Sequence, residues 1–221
     1  MSQHVVITGA NRGIGLELAR QWHERGDRVT ALCRAASDEL KALGVAVIEG
    51  VDVTDDISLG KARRNLEGET IDVLYNNAGL LTDENLKDMD WDRIQTQFEV
   101  NTLGPLKVTT ALLDLIPENG KVAMMTSRMG SIADNDSGGR YGYRMTKAAL
   151  NAAAKSMAVD LQPRGISVGI LHPGYVQTAM TGNTGHITPS EAAERLIQRV
   201  DELGPETSGV FRHSDGSELP W

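Results

Sequence analysis

The sequence predicts a doubly wound α/β fold, a parallel sheet of about seven strands with helices on both faces. Three observations carry this. Short β-branched runs alternate along the chain with amphipathic or alanine-rich segments, the rhythm of βα units and a parallel sheet. The first run, residues 5–8, leads straight into a glycine-rich turn and then a helix-period segment. The 221 residues with 40% hydrophobic content suit one domain over 1–221, large enough to cover a sheet on both sides.

Val5, Val6, Ile7 and Thr8 form the first strand, and residues 16–24 the first helix. Between them lies Gly9-Ala10-Asn11-Arg12-Gly13-Ile14-Gly15. Glycines let a backbone approach a ligand closely, and the first amides of a helix direct N–H groups and a dipole at an anion. A pyrophosphate fits such a turn. So does a plain tight turn, because the spacing Gly-x3-Gly-x-Gly differs from the general Gly-x-Gly-x-x-Gly fingerprint. Residues 27–33 are the second strand, ending where a dinucleotide fold places the acid that grips the adenosine ribose. Here Arg34 stands there, and Arg12 precedes the second glycine of the turn. Two guanidinium groups converging beside the ribose would be neutralised by a 2′-phosphate, which favours NADP over NAD.

Residues 45–48 are a third strand leading to 51–54, residues 58–66 a helix, and residues 71–75 a fourth strand ending at Asn76-Asn77-Ala78-Gly79. Ligands of such sheets bind beyond the carboxyl ends of the strands, where the glycine turn, Arg34, Asp52 and residues 76–79 fall. The next helix is expected from about Trp91 through Phe98 and Val100, with Asn101 in its second half and Gly104-Pro105 breaking or bending it. Residues 121–127 are the fifth strand, and residues 134–140 a Gly- and Ser-rich surface loop.

Residues 143–160 have few helix breakers and read as a helix. On it Tyr143 and Lys147 stand one turn apart on one face, a face that Tyr141 does not share. An ammonium ion beside a phenol lowers its pKa from about 10, a route to acid–base chemistry, although a solvated surface pair has the same spacing. Residues 166–171 are the sixth strand, leaving through His172-Pro173-Gly174. His172 has no evident carboxylate partner and reads as structural. A brief Gly/Thr-rich loop over 179–188, a helix over 189–203 and a last strand over 210–213 complete the chain.

Lys and Arg number 22 against 30 Asp and Glu, a net charge of −8, which argues against a nucleic-acid partner. No run approaches the ~18 apolar residues of a membrane span, and no secretory signal is read at the start. The single Cys33 excludes an intrachain disulfide framework and a multi-cysteine metal site, and fits a reducing, cytoplasmic compartment.

Residues 8–15, Asn76-Asn77-Ala78-Gly79 and Tyr143-x3-Lys147, in this order and spacing, together resemble the short-chain dehydrogenase/reductase family. The likeness runs from Val5 to about Thr178. The ending, Asp215-Gly216-Ser217 with Leu219-Pro220-Trp221, together with Arg34 and the Tyr-x-Tyr-Arg pattern, is similar to its small C-factor and carbonyl-reductase-like branch. The resemblance implies a Rossmann-type sheet and makes Gly9, Asn11, Arg12, Gly13, Ile14 and Gly15 the cofactor turn. It places Arg34, Asp52 and Val53 on the adenosine side, with Asp52 touching adenine, and Asn77, Ala78 and Gly79 along the adenine and ribose. It implies that Pro173, Gly174, Val176 and Thr178 contact the nicotinamide amide.

By the same resemblance Tyr143 is the acid/base and Lys147 lowers its pKa while bonding the nicotinamide ribose. Asn101 interrupts its helix and holds a water leading to the lysine. Ser127 donates to the substrate oxygen, with Thr126 and Ser131 as alternatives because sixteen positions separate Ser127 from Tyr143, more than in most members. The implied activity is NADPH-dependent reduction of a small aldehyde or ketone to an alcohol, or the reverse, without a metal. The alternative is a non-catalytic NADP-binding regulator of the C-factor type. A homodimer or homotetramer is implied through the helices bearing Asn101 and Tyr143.

Overall fold

The computed structural model describes residues 2–221. Seven strands, β1 (His4–Thr8), β2 (Arg28–Leu32), β3 (Ala46–Ile48), β4 (Val73–Asn76), β5 (Lys121–Met125), β6 (Ser167–His172) and β7 (Phe211–His213), form one sheet. All neighbours pair in parallel, in the order β3-β2-β1-β4-β5-β6-β7. The order reverses between β1 and β4, which opens a crevice for a ligand above their carboxyl ends.

Successive strand residues point to opposite faces, so each strand serves two cores. Val5, Ile7, Val73, Tyr75, Ala123 and Met125 face one side and pack on α1 (Gly13–Glu24) and α7 (Pro189–Asp201). Val6, Leu74, Val122, Met124 and Ile170 face the other, against α3 (Asp56–Asn65), α5 (Gly104–Leu112) and α6 (Tyr141–Leu161). Trp22 of α1 meets the buried Tyr75 edge-on at 5.7 Å, a geometry worth about 1 kcal/mol beyond its burial. Among the described residues no helix is long and apolar enough to cross a membrane.

Two departures from the sequence reading have physical causes. A short α2 (Asp38–Ala42) follows Arg34, started by the Ser37 hydroxyl, which accepts from Leu40 N–H. Gly104-Pro105 does not break the Asn101 helix. Instead α4 (Trp91–Phe98) widens into a π-helical turn over Glu99–Leu103 and continues as α5, because Pro105 sits in the first turn of α5, where an N–H is not needed. The fifth strand stops at Met125, leaving Ser127 beyond it, and the seventh strand is shorter than expected.

The glycine turn is tightly enclosed. A Cβ on Gly15 would lie 2.4 Å from the Gly9 carbonyl oxygen and 2.5 Å from Asn77 Nδ2. Gly15→Ala is therefore expected to destabilise the chain by about 1–3 kcal/mol, the range for overpacking, measured by urea unfolding without added nucleotide.

Candidate active site

The cradle is built at the ends of β1 and β4. Gly9 has φ +66°, and a Cβ there would sit 2.9 Å from Ala78 Cα, so the two loops touch backbone to backbone. The Thr8 hydroxyl accepts from Asn77 N–H at 3.0 Å and from Ala78 N–H at 3.1 Å. Asn77 Nδ2 returns bonds to the Thr8 and Gly9 carbonyls. Asn76 is directed away and donates to Thr109 of α5. The start of α1 has no side-chain cap, which leaves its first amides, at Gly13, Ile14 and Gly15, for an incoming anion. Thr178 lies across this turn, 3.6 Å from where a Gly13 Cβ would stand. Two distant predicted segments thus share one pocket wall.

Arg12 and Arg34 are both exposed. Asp52 accepts from the Thr54 amide at 2.9 Å and the Thr54 hydroxyl at 2.7 Å. These bonds, with the Arg34 charge, hold it below the usual carboxylate range. Val53 packs against Gly104, where a Cβ would come within 2.8 Å of Val53 Cγ2, so its side chain is turned toward α5.

At the reacting end, Ser127 starts a 3₁₀ turn (Arg128–Gly130), its hydroxyl accepting from Met129 N–H at 3.1 Å. The alternatives are engaged elsewhere: the Thr126 hydroxyl donates to Asn151 at 2.6 Å and Ser131 accepts from Asp134 N–H. Ser127 is the hydroxyl that bears on the Tyr143 phenol. Tyr143 and Lys147 are both buried, so the solvated pair does not apply. Tyr141 occupies the first position of α6.

The electrostatics differ from the sequence expectation. Burial pushes the Tyr143 phenol up to about 12, opposed by the Ser127 side chain and by Arg140. Burial likewise brings Lys147 down to about 7. Its Nζ donates to the Met125 carbonyl at 2.8 Å and lies 5.7 Å from the Tyr143 ring centre. Desolvation therefore outweighs the attraction between ammonium and phenolate. Asn101 is fully buried in the π-helical turn. Its Oδ1 accepts from Leu80 N–H at 2.7 Å, and its Nδ2 donates to the Leu80 carbonyl and the Thr146 hydroxyl.

On the far wall, the Pro173 carbonyl accepts from the Ser214 hydroxyl, Gly174 adopts φ +96° and Val176 bridges to Ile187. Thr178 opens the short turn Ala179–Thr181. His172 stands edge-on to His213 at 5.0 Å, and burial, with His213 beside it, pushes it down to about 3, so it is neutral. Sequence reasoning missed the buried Glu84 and Gln97 beside the start of α6. The only signal was Gly142, a small residue inside a helix.

The sequence pattern of the family described as short chain dehydrogenase matches residues 3–187. The chain belongs to that family. It is 43% identical over 223 residues to the 1-hydroxy-2-glutathionyl-2-methyl-3-butene dehydrogenase of Rhodococcus sp. (strain AD45), covering 98% of this chain and 99% of that one. It is 44% identical over 154 residues to the C-signal of Myxococcus xanthus, covering 68% of this chain and 93% of the relative. A carbonyl reductase from Pseudomonas aeruginosa PAO1 in complex with NADP superimposes with a TM-score of 0.89 at 30% identity, over 100% of both chains. This short chain dehydrogenase therefore shares both sequence and architecture with oxidoreductases that act on alcohols and carbonyls.

Proposed function

We propose that the chain is an NADP-dependent oxidoreductase that interconverts a small carbonyl compound and its alcohol. The observation that carries this reading is the buried set of Ser127, Tyr143 and Lys147 at the strand ends, beside a glycine cradle. The cradle fits a dinucleotide: its glycines are positions a Cβ would block, and α1 begins uncapped above them. Gly9, Asn11, Arg12, Gly13, Ile14 and Gly15 would hold the pyrophosphate. Arg12 and Arg34 would take the 2′-phosphate, Asp52 and Val53 would border the adenine, and Asn77, Ala78 and Gly79 the ribose. Pro173, Gly174, Val176 and Thr178 would border the nicotinamide. When bound, that ring supplies or accepts the hydride.

Tyr143, neutral at physiological pH, gives its proton to the substrate oxygen in reduction and takes it back in oxidation. Ser127 donates a hydrogen bond to the same oxygen. Lys147 supplies N–H donors and partial positive charge under the phenol. Asn101 holds the Leu80 segment against α6 and leads the proton path from Lys147 outward. The Rhodococcus relative is named for an alcohol carrying a glutathionyl group, which makes alcohol oxidation a direction to assay alongside reduction. A C-signal-like regulatory role is disfavoured, because burying a lysine and a tyrosine together costs several kcal/mol that a pure binder has no reason to bear. A homodimer or homotetramer in a cytoplasmic compartment completes the proposal. The apolar groove of Leu106, Leu113, Met157 and Leu161 between α5 and α6 is a face suited to a second copy.

Calorimetry with NADPH and NADH on the native chain and on Arg34→Ala tests the cofactor. NADPH is expected to bind at least about tenfold tighter, worth 1.4 kcal/mol, with the preference lost in the variant. Equal binding of the two nucleotides by the native chain would refute the two-arginine assignment.

A further inference from the structure

Glu84 is almost fully buried, at 2% exposure, and Gln97 of α4 completely so. The Glu84 carboxylate accepts from Gln97 Nε2, at 3.3 Å on Oε1 and 3.1 Å on Oε2, and from the Thr82 hydroxyl. Gln97 Oε1 in turn accepts from Thr82 N–H at 3.1 Å. The buried polar atoms of the two side chains are thus satisfied within a closed set. Asp83, next to Glu84 in sequence, pairs with Arg140 at 3.5 Å. The Glu84 carboxylate instead faces the second residue of α6. A Cβ on Gly142 would stand 3.0 Å from Glu84 Oε2 and 2.3 Å from Gln97 Nε2. Two residues earlier, Arg140 N–H donates to the Glu84 carbonyl at 2.7 Å.

The start of α6 therefore has an unusual support. It has no side-chain cap of its own, and Arg140 enters it in the left-handed region at φ +50°, a conformation disfavoured for a non-glycine residue. What holds it is the buried Glu84–Gln97 pair packed against Gly142, together with the Arg140–Glu84 backbone bond. Tyr143 is the very next residue after the contact point.

We infer that Glu84, braced by Gln97 and Thr82, is a positioning residue that fixes the first turn of α6 and so the place of the Tyr143 hydroxyl. Gly142 is the small position that lets the brace reach the helix. This rests on the reading of Tyr143 as the acid/base. An ångström of misplacement at a reacting group can cost about 10²-fold in rate, so the brace acts on turnover without touching substrate or nucleotide.

The test uses the full chain as Glu84→Ala, Glu84→Gln and Gly142→Ala. Two measurements are made: hydrogen exchange of the 141–145 amides in the nucleotide-free protein, and NADPH oxidation with 4-nitrobenzaldehyde. In Glu84→Ala, exchange over 141–145 is expected to rise at least about tenfold while 150–161 is unchanged, the span of a local opening. Its kcat is expected to fall by about 10- to 100-fold, with NADPH affinity within about threefold of native. Glu84→Gln, which keeps the shape and an acceptor, is expected to recover most of both losses. Gly142→Ala is expected to lower kcat even though alanine favours a helix by about 1 kcal/mol over glycine. Native exchange and native kcat in both Glu84→Ala and Gly142→Ala would overturn the inference. Faster exchange in a protein whose native form turns over neither this aldehyde nor any alcohol would overturn the activity reading, and the positioning role with it.

Discussion

Replacing Tyr143 by phenylalanine is expected to lower turnover by about 10²- to 10⁴-fold, the usual worth of a positioned proton donor, while NADPH binding stays within a few-fold. The ring is buried and its packing is retained in phenylalanine, so folding is expected to be little changed. The pH dependence separates the two directions. Burial holds the phenol up to about 12, so it is protonated, and ready as an acid, throughout the neutral range. The phenol itself therefore adds no pH dependence to reduction from pH 6 to 8, and any fall in rate across that range is expected to follow Lys147, which burial brings down to about 7. Oxidation needs the phenolate and is expected to climb with pH, and parallel pH–rate profiles for both directions would contradict the assignment of Tyr143.

Lys147→Met should show the opposite balance of stability and function. At pH 7 the variant is expected to be more stable than the native chain by about 2 kcal/mol, because it removes an ammonium that burial brings down to about 7. Between pH 7 and about 10 the unfolded chain still binds a proton at Lys147 that the folded chain has released. Native stability therefore rises with pH through that window, and the gap to the methionine variant closes. The part of the gain not realised is the cost of leaving the Met125 carbonyl without its 2.8 Å donor. Turnover is expected to fall at least about 10²-fold, since the phenol loses the amino group 5.7 Å from its ring centre. Urea unfolding of both proteins at pH 7, 8 and 9 measures the first effect. A gap that is constant across that range would show that Lys147 is charged in the fold.

Much of this was readable from the chain because local chemistry and global fold agree. The β-branched runs, the glycine turn and the Asn-Asn-Ala-Gly segment each signal a backbone state that no distant contact overrides, and the sheet follows from them. Asn101 was found as a helix interruption, but its consequence was misjudged. Gly104-Pro105 is expected to break or bend the helix, whereas a proline in a first turn is compatible with helix, and the strain is absorbed by the π-helical turn before it. The Tyr143–Lys147 spacing put the two side chains near each other, as the structure has them, but the expected lowering of the phenol is reversed by burial. Sequence spacing reports which groups share a face, but not that both are under the 128–131 turn and cut off from water. Glu84 was invisible, because its role comes from a contact with Gly142 across more than fifty residues, and nothing in its own neighbourhood sets it apart from a surface acid.

The place of β1 in the sheet has a consequence for the order in which the molecule is made. Val5 pairs with Val29 on one side and with Val73 on the other. A chain emerging from its N-terminus can thus lay β2 against β1, and then β3 against β2, early. The other edge of β1 stays open until residue 76 has been synthesised. During that interval β1 presents a bare apolar strand edge, the kind of surface that pairs with other chains. Addition of β4 closes the edge and, in the same step, brings Asn77 and Ala78 onto Thr8. The loops at the ends of β1 and β4 are thereby joined before the segment carrying Ser127 and Tyr143 exists.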